Sequence, residues 1–268
     1  MKPRKPYPTD LSDHEWNLIR HLVPDAKPGG RPETYPKREI LNGIFYIVRG
    51  GCAWRLLPHD LPPWQIVYHD FWRWGQDGTW QFMHDLLRGD VRMAAGRHRQ
   101  PSAGILDSQP VKTTENRGVR GFDAHKQVKG RKRHILVDTL GLLLAVVVTA
   151  ASVQDREGAQ SLLAVLRHQF SRLRLIWADQ AYMGELGAWV WALRPWRNVR
   201  LEVVKRLEGL KGFHVLPKRW IVERTFGWFG RYRRLSTDYE YLIQTSEAVI
   251  RVAMIHLMVR RLARMSCF

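Results

Sequence analysis

The sequence predicts an α/β fold, a mixed sheet flanked by helices, with an all-helical domain in front of it. Three observations carry this reading. Through residue 95 the apolar residues recur at three- and four-residue spacing, the period of a helix. Beyond residue 103 short runs rich in Val, Ile and Leu take over, bounded by turn residues. Between the two, GDVRMAAGRHRQPSAG reads as a joint, with 96–103 as the linker proper. The division is therefore 1–95 helical, 96–103 linker and 104–268 sheet-containing.

The elements follow in order. Ser12 and Glu15 have the spacing of a capping box, and Leu11 and Trp16 stand where a hydrophobic staple would. Trp16, Ile19 and Leu22–Val23 continue one apolar face until Pro24 stops it. KPGGRPETYP is a loop. A second helix is expected over 37–49 through Ile40, Leu41, Ile44, Ile47 and Val48. Pro63 opens a third, WQIVYHDFWRW, and Thr79 caps a fourth that runs to Leu87. Short helices with tight turns are compatible with a helix-turn-helix type of DNA binder. In the second part, 104–111 is an apolar strand, and 133–137 with 142–149 flank the hairpin turn DTLG. An amphipathic helix follows over 156–170, a buried strand at 173–178, a helix through 189–193, a strand at 199–204 and two more helices. Three strands, helix, strand, helix, strand, helices is the order of an RNase H-like α/β fold.

Composition limits the function. The chain has 268 residues and 45% hydrophobic content, enough to bury a core and to exclude pervasive disorder. A net charge of +18 calls for an anionic partner, and nucleic acid is the leading one, because phosphates attract Lys and Arg whatever the sequence. Residues 111–134 hold eight basic and two acidic residues, and residues 205–234 hold nine and two, so the excess is concentrated there. Cys52 and Cys267 form no CxxC pair, which argues against a disulfide framework or a zinc finger. The N-terminus lacks the apolar core of a signal peptide, and no apolar run is long enough to span a bilayer. No GxxxxGK[ST] loop occurs, so no nucleotide cofactor is expected.

Three acids are placed for metal-assisted phosphodiester chemistry, which needs carboxylates converging from separate elements. Asp107 interrupts a buried strand in ILDSQP, Asp179 follows the strand LIWA, and Glu223 lies on the helix WIVERTFGWFGRYRRL. A lone Asp at a strand end is most often a turn or cap residue, but a carboxylate inside a buried strand is costly unless paired or metal-bound. Asp138 and Asp155 are weaker candidates, the first suiting the hairpin turn and the second a helix N-terminus. Arg219, Gly227, Gly230 and Arg234 fall at offsets of −4, +4, +7 and +11 from Glu223, roughly one helical face. The glycines would either admit a DNA backbone or pack against another helix. Lys126, Lys129, Arg131, Lys132 and Arg133 are assigned to DNA phosphate, with Arg219, Arg224, Arg231 and Arg234 around Glu223; a solvated charged arm is the alternative for the first group.

The longer blocks carry a resemblance. LSDHEW, GGRPETYPKREILNGIFYIVRGGCAWRLLP and WQIVYHDFWRW resemble the helical domain of bacterial insertion-sequence DDE transposases of the insertion sequence five group, related to the insertion sequence four superfamily. ILDSQPVKT, GFDAHKQVKGRKRHILVDTLGLLL, WADQAY and WIVERTFGWFGRYRRLSTDYEYL are similar to that group's catalytic blocks. The resemblance implies an RNase H-like core, Asp107, Asp179 and Glu223 as metal-binding triad, and Mg²⁺, replaceable by Mn²⁺, as two ions. It also implies double-stranded DNA as partner, at the element's terminal inverted repeats and at the target, a homodimer that joins two ends, and a cytoplasmic, nucleoid-associated setting. In the related signature Y-x2-R-x3-E-x6-K, Arg219 and Glu223 fit, whereas Leu216 stands at the Tyr position and Gly230 at the Lys position, with Arg231 one residue later. Two other readings are a catalytically silent DNA-binding regulator derived from a transposase, and a nuclease acting on RNA–DNA hybrids.

Overall fold

The structure is a computed structural model and describes residues 4–25, 34–115, 118–166, 169–192, 198–204 and 218–266. Most of the KPGGRPETYP loop, the helix end at Leu193 and Leu216 lie outside these residues. Contacts divide the chain into two compact units: Met1–Arg97 with Arg231–Ser236 and Ala248–Phe268, and His98–Gly230 with Thr237–Glu247. Residues 248–266, joined by sequence to the sheet domain, thus cluster with the N-terminal helices instead. No helix among the described residues is long and apolar enough to cross a membrane.

The first unit is helical. Helix α1 (Asp13–Ile19) opens on the full capping box, Ser12 accepting from the Glu15 amide and Glu15 accepting from the Ser12 amide. This satisfies two donors that a helix start leaves open. Helix α2 (Lys37–Gly50) buries Ile40, Leu41, Ile44, Ile47 and Val48 on its apolar face. Helix α3 (Trp64–Gln76) follows Pro63, and α4 runs Thr79–Ala94. The fourth helix is thus longer than its expected end at Leu87. Leu87, Gly89 and Val91 are buried together with Arg88 and Arg92, so tertiary packing carries the helix through a segment whose charges and glycine read as a joint. Trp74 and Trp80 are buried, their rings edge to face at 5.1 Å. The larger part of the C-terminal helix α8 (Ile243–Met265) completes this unit.

The second unit is built on one sheet. Its strands are β1 (Ala103–Lys112), β2 (Gly121–Asp123), β3 (Val128–Asp138), β4 (Leu143–Ala150), β5 (Leu175–Ala178) and β6 (Arg200–Val203). β3 lies antiparallel to β1 and β4, while β1–β5 and β5–β6 are parallel. The order β4-β3-β1-β5-β6, with β2 on the outer part of β3, is the RNase H-like arrangement. Helix α5 (Asp155–Leu166) makes the connection that parallel pairing requires. Leu106, Leu136, Leu144, Leu162, Leu163 and Ile176 meet in one core between sheet and helix. Gly158 on α5 lies against the His134 ring, where a Cβ would overlap it, so glycine lets the helix sit close to the sheet. Helix α6 (Leu186–Ala192) follows β5, and α7 (Trp220–Gly230) packs against β1 and β3.

β3 corrects part of the charge reading. The strand begins five residues earlier than expected and is flanked by β1 on one side and β4 on the other. Arg131, Lys132 and Arg133 are all buried. Arg131 Nη1 is 3.2 Å from Asp238 Oδ1 and donates to the Ser246 hydroxyl and the Glu240 carbonyl; Nη2 donates to the Tyr241 carbonyl. Lys132 Nζ is held by Asp123 at 3.0 Å, Asp155 at 3.1 Å and the Val153 carbonyl at 3.0 Å. Burial brings the Arg133 guanidinium down to about 10. These three cations are internal and do not face DNA phosphate. Lys126 and Lys129, toward the tip of the β2–β3 hairpin, remain exposed.

Candidate active site

Strand pairing brings the first two acids level. Ile105 of β1 pairs with Trp177 of β5, and two residues further along stand Asp107, still within β1, and Asp179, just past the end of β5. Asp107 Oδ1 accepts from the Ser108 amide at 2.8 Å. Asp179 caps the short 3-10 turn Gln180–Tyr182, accepting from the Ala181 amide at 2.9 Å. The ordinary capping role of a strand-end Asp is thus real here, and it leaves Asp179 Oδ2 free to turn toward its neighbours.

The third acid arrives on α7. Thr225 donates to the Gly141 carbonyl and Arg224 to the Leu140 carbonyl, which pins the helix to the β3–β4 turn. Gly141 has φ +80° and lies against Thr225 and Trp228, so both its conformation and its close approach favour glycine. Asp138 shapes the same turn by accepting from the Leu140 and Leu142 amides, and is structural.

All three acids meet at one cation. Nη2 of Arg219 lies 3.7 Å from Asp107 Oδ2, 3.5 Å from Asp179 Oδ2 and 3.9 Å from Glu223 Oε1. Asp107 is the most enclosed of the acids and Glu223 is about half exposed. Burial pushes the Asp107 carboxyl up to about 7; the Ser108 amide opposes the rise, Asp179 adds to it and Arg219 opposes it.

Behind Asp107 lies a polar shell that includes Asp155, in sequence only a weaker candidate at a helix start. The Ser108 hydroxyl donates to Asp155 Oδ1 at 2.7 Å, and Asp155 shares Lys132 with Asp123. Tyr182, the last residue of WADQAY, is buried beside Ser108 in the field of Asp107, Asp155 and Asp179, and burial raises its hydroxyl well above the usual tyrosine range. A helix-start Asp following a β-branched strand was the available signal for Asp155; its link to Ser108 depends on tertiary structure.

The basic residues around Glu223 separate into groups. Arg224 lies between the Trp220 and Trp228 rings, at 4.6 and 4.9 Å, and is committed to holding α7. α7 ends at Gly230, so the +11 offset of Arg234 has no helix to carry it. Arg234 is buried in the first unit and donates to the Cys52 carbonyl at 3.1 Å. Arg231 is exposed. Among the described residues nothing lies within 4 Å of a Cβ added at Gly227 or Gly230, so no described helix packs on either glycine.

The donor set is hard oxygen, the chemistry that Mg²⁺ selects, and a guanidinium nitrogen now stands where the three carboxylates converge. Among the described residues no three His, Cys, Asp or Glu side chains are arranged to hold a metal as they stand. The acids fit such an ion by charge and donor type, with Arg219 in the convergent position.

An RNase H-like sheet with one acid inside its first strand and a second just past the end of the neighbouring parallel strand is the frame of an insertion-sequence DDE transposase. Residues 98–258, more than half of the chain, match the family described as "Transposase DDE domain", and residues 11–84 match "Putative transposase of IS4/5 family". The chain belongs to the DDE transposase family. It is 32% identical over 118 residues to the "Putative transposase for insertion sequence element IS402" of Burkholderia cepacia, covering 41% of this chain and 54% of that protein. An "Insertion element IS402 uncharacterized 16.2 kDa protein" of the same organism is 33% identical over 94 residues, 31% of this chain and 61% of the relative. "Uncharacterized protein y4sN" of Sinorhizobium fredii (strain NBRC 101917 / NGR234) is 32% identical over 77 residues, 29% and 62%. The chain therefore spans between about half and three-fifths of the curated relatives it matches.

Proposed function

We propose that this chain is a transposase that binds the terminal inverted repeats of an insertion sequence and catalyses metal-dependent strand cleavage and strand transfer. The observation that carries this is the meeting of Asp107, Asp179 and Glu223, from three separate elements, within 4 Å of one Arg219 nitrogen. When bound, Mg²⁺ or Mn²⁺, as a pair of ions, would lower the barrier to in-line attack on phosphorus by polarising the attacking and leaving oxygens. Asp107 and Asp179, fixed by the Ser108 and Ala181 amides, would hold the ions against the sheet. Glu223, the most exposed of the three, would close the site from the helix side. Water would serve as the first nucleophile, and the freed 3′-hydroxyl as the second, so no covalent protein–DNA link is required.

Lys126, Lys129 and Arg231, all exposed, are the basic residues proposed to meet phosphate directly. The open face of Gly227 and Gly230 on the Glu223 helix would let a DNA backbone pass close. End recognition is assigned to the helical first unit and the active assembly to a homodimer. Duplex carrying the terminal repeats should be nicked at the element's end with Mg²⁺ or Mn²⁺ and not with EDTA. Asp107→Asn and Asp179→Asn should each abolish nicking while still binding duplex. Nicking by either variant at the native rate would remove that residue from the centre.

A further inference from the structure

The contacts of Arg219 are unusual in kind. An arginine committed to one carboxylate forms two short parallel hydrogen bonds at about 2.7–2.9 Å. Arg219 instead spreads one nitrogen over three carboxylates at 3.5 to 3.9 Å, and so acts as a shared counter-charge. Its backbone neighbour is also constrained. Lys218 has φ +70°, a left-handed conformation costly for a lysine, and its ammonium lies 3.8 Å from the centre of the Trp177 ring on β5. The turn that delivers Arg219 is thereby tied to the strand that delivers Asp179.

We propose that Arg219 is a built-in placeholder for the divalent cation: in the metal-free protein its guanidinium neutralises the three carboxylates, and it competes with the metal for them. This rests on the metal reading of the triad given above. The ion and the guanidinium require the same oxygens, so the side chain must leave the convergent point for the site to load. A DNA phosphate suits the released guanidinium, being planar-fork recognition of an anion. Metal and DNA are then linked through one side chain, and DNA that takes up Arg219 tightens metal binding by the factor with which metal tightens DNA.

The test is Mn²⁺ binding by the full-length, DNA-free protein, followed by the loss of the free-ion paramagnetic resonance signal. Asp107→Asn supplies the baseline for sites outside the triad. Arg219→Gln should bind Mn²⁺ more tightly than the native protein, within the range of about 5- to 150-fold that couplings between sites span. In the native protein, duplex DNA should tighten triad-specific Mn²⁺ binding, which keeps the proposal testable if Arg219→Gln fails to fold. Equal or weaker binding by folded Arg219→Gln, or no effect of DNA on the native protein, would overturn the placeholder role while leaving the metal reading intact. Absence of triad-specific Mn²⁺ binding in both proteins would overturn the metal reading and the placeholder role together.

Discussion

Asp107 is a carboxylate held close to neutrality by its surroundings. Its carboxyl is raised from 3.8 to about 7, so between about pH 4 and pH 7 the folded protein keeps a proton that the unfolded chain has released. Stability from this residue is therefore lost as pH rises through that window. The unfolding free energy of Asp107→Asn relative to the native protein should grow from about pH 5 to about pH 8 in metal-free buffer; a difference independent of pH would contradict the burial described. The sequence singles out Asp107 because an acid inside an apolar strand is costly on its face. It misplaces Arg131, Lys132 and Arg133. Charge in a sequence does not show that a strand has neighbours on both edges and cover on both faces. Arg131→Ala would take its ion-pair partner from buried Asp238, leaving the Ser246 hydroxyl and the Glu240 amide as hydrogen-bond donors to it, an expected loss of up to about 3–5 kcal/mol in urea unfolding. Lys126→Ala with Lys129→Ala should leave stability unchanged and reduce the salt dependence of DNA binding.

At the scale of elements, the site depends on two registers. Parallel pairing of β1 and β5 sets Asp107 beside Asp179, and the docking of α7 on the β3–β4 turn sets Glu223. The first was legible, because strands with a helix between them pair in few ways. The second was only partly so. The glycines of α7 suggested either a packed or an open face, and the space around them decides for open. Gly227→Ala should therefore stabilise α7 by about 1 kcal/mol, since no atom of the described residues opposes the new methyl. It should also weaken duplex binding if the backbone passes there. A calorimetric melt and a titration on the same sample separate the two effects, and an unchanged affinity would take DNA off this face.

For the whole molecule, the charge of +18 divides between two uses. Part of it lies inside, where Lys132 and Arg131 tie sheet, helix and loop together. Another part, including Lys126, Lys129 and Arg231, is exposed and available to an anionic partner. Both units also carry buried histidines. Burial lowers His84 and His134 to about 4 and His256 to about 3. Their folded values lie below the unfolded one, so the unfolded chain binds more protons as pH falls from about 6.5, and stability falls with it. Three such groups outweigh the opposing effect of Asp107, and the urea midpoint should drop between about pH 6.5 and pH 4; a midpoint that rises would contradict the burial of these rings. Whether three carboxylates form one metal-dependent cleavage centre is decided at Glu223, which is about half exposed and least invested in the fold. Single-turnover cleavage of duplex bearing the terminal repeats, measured for native protein and Glu223→Gln at equal thermal stability, should show a loss on the order of a thousandfold or more, the kinetic equivalent of several kcal/mol of metal-borne stabilisation. Cleavage by Glu223→Gln at the native rate would contradict such a centre.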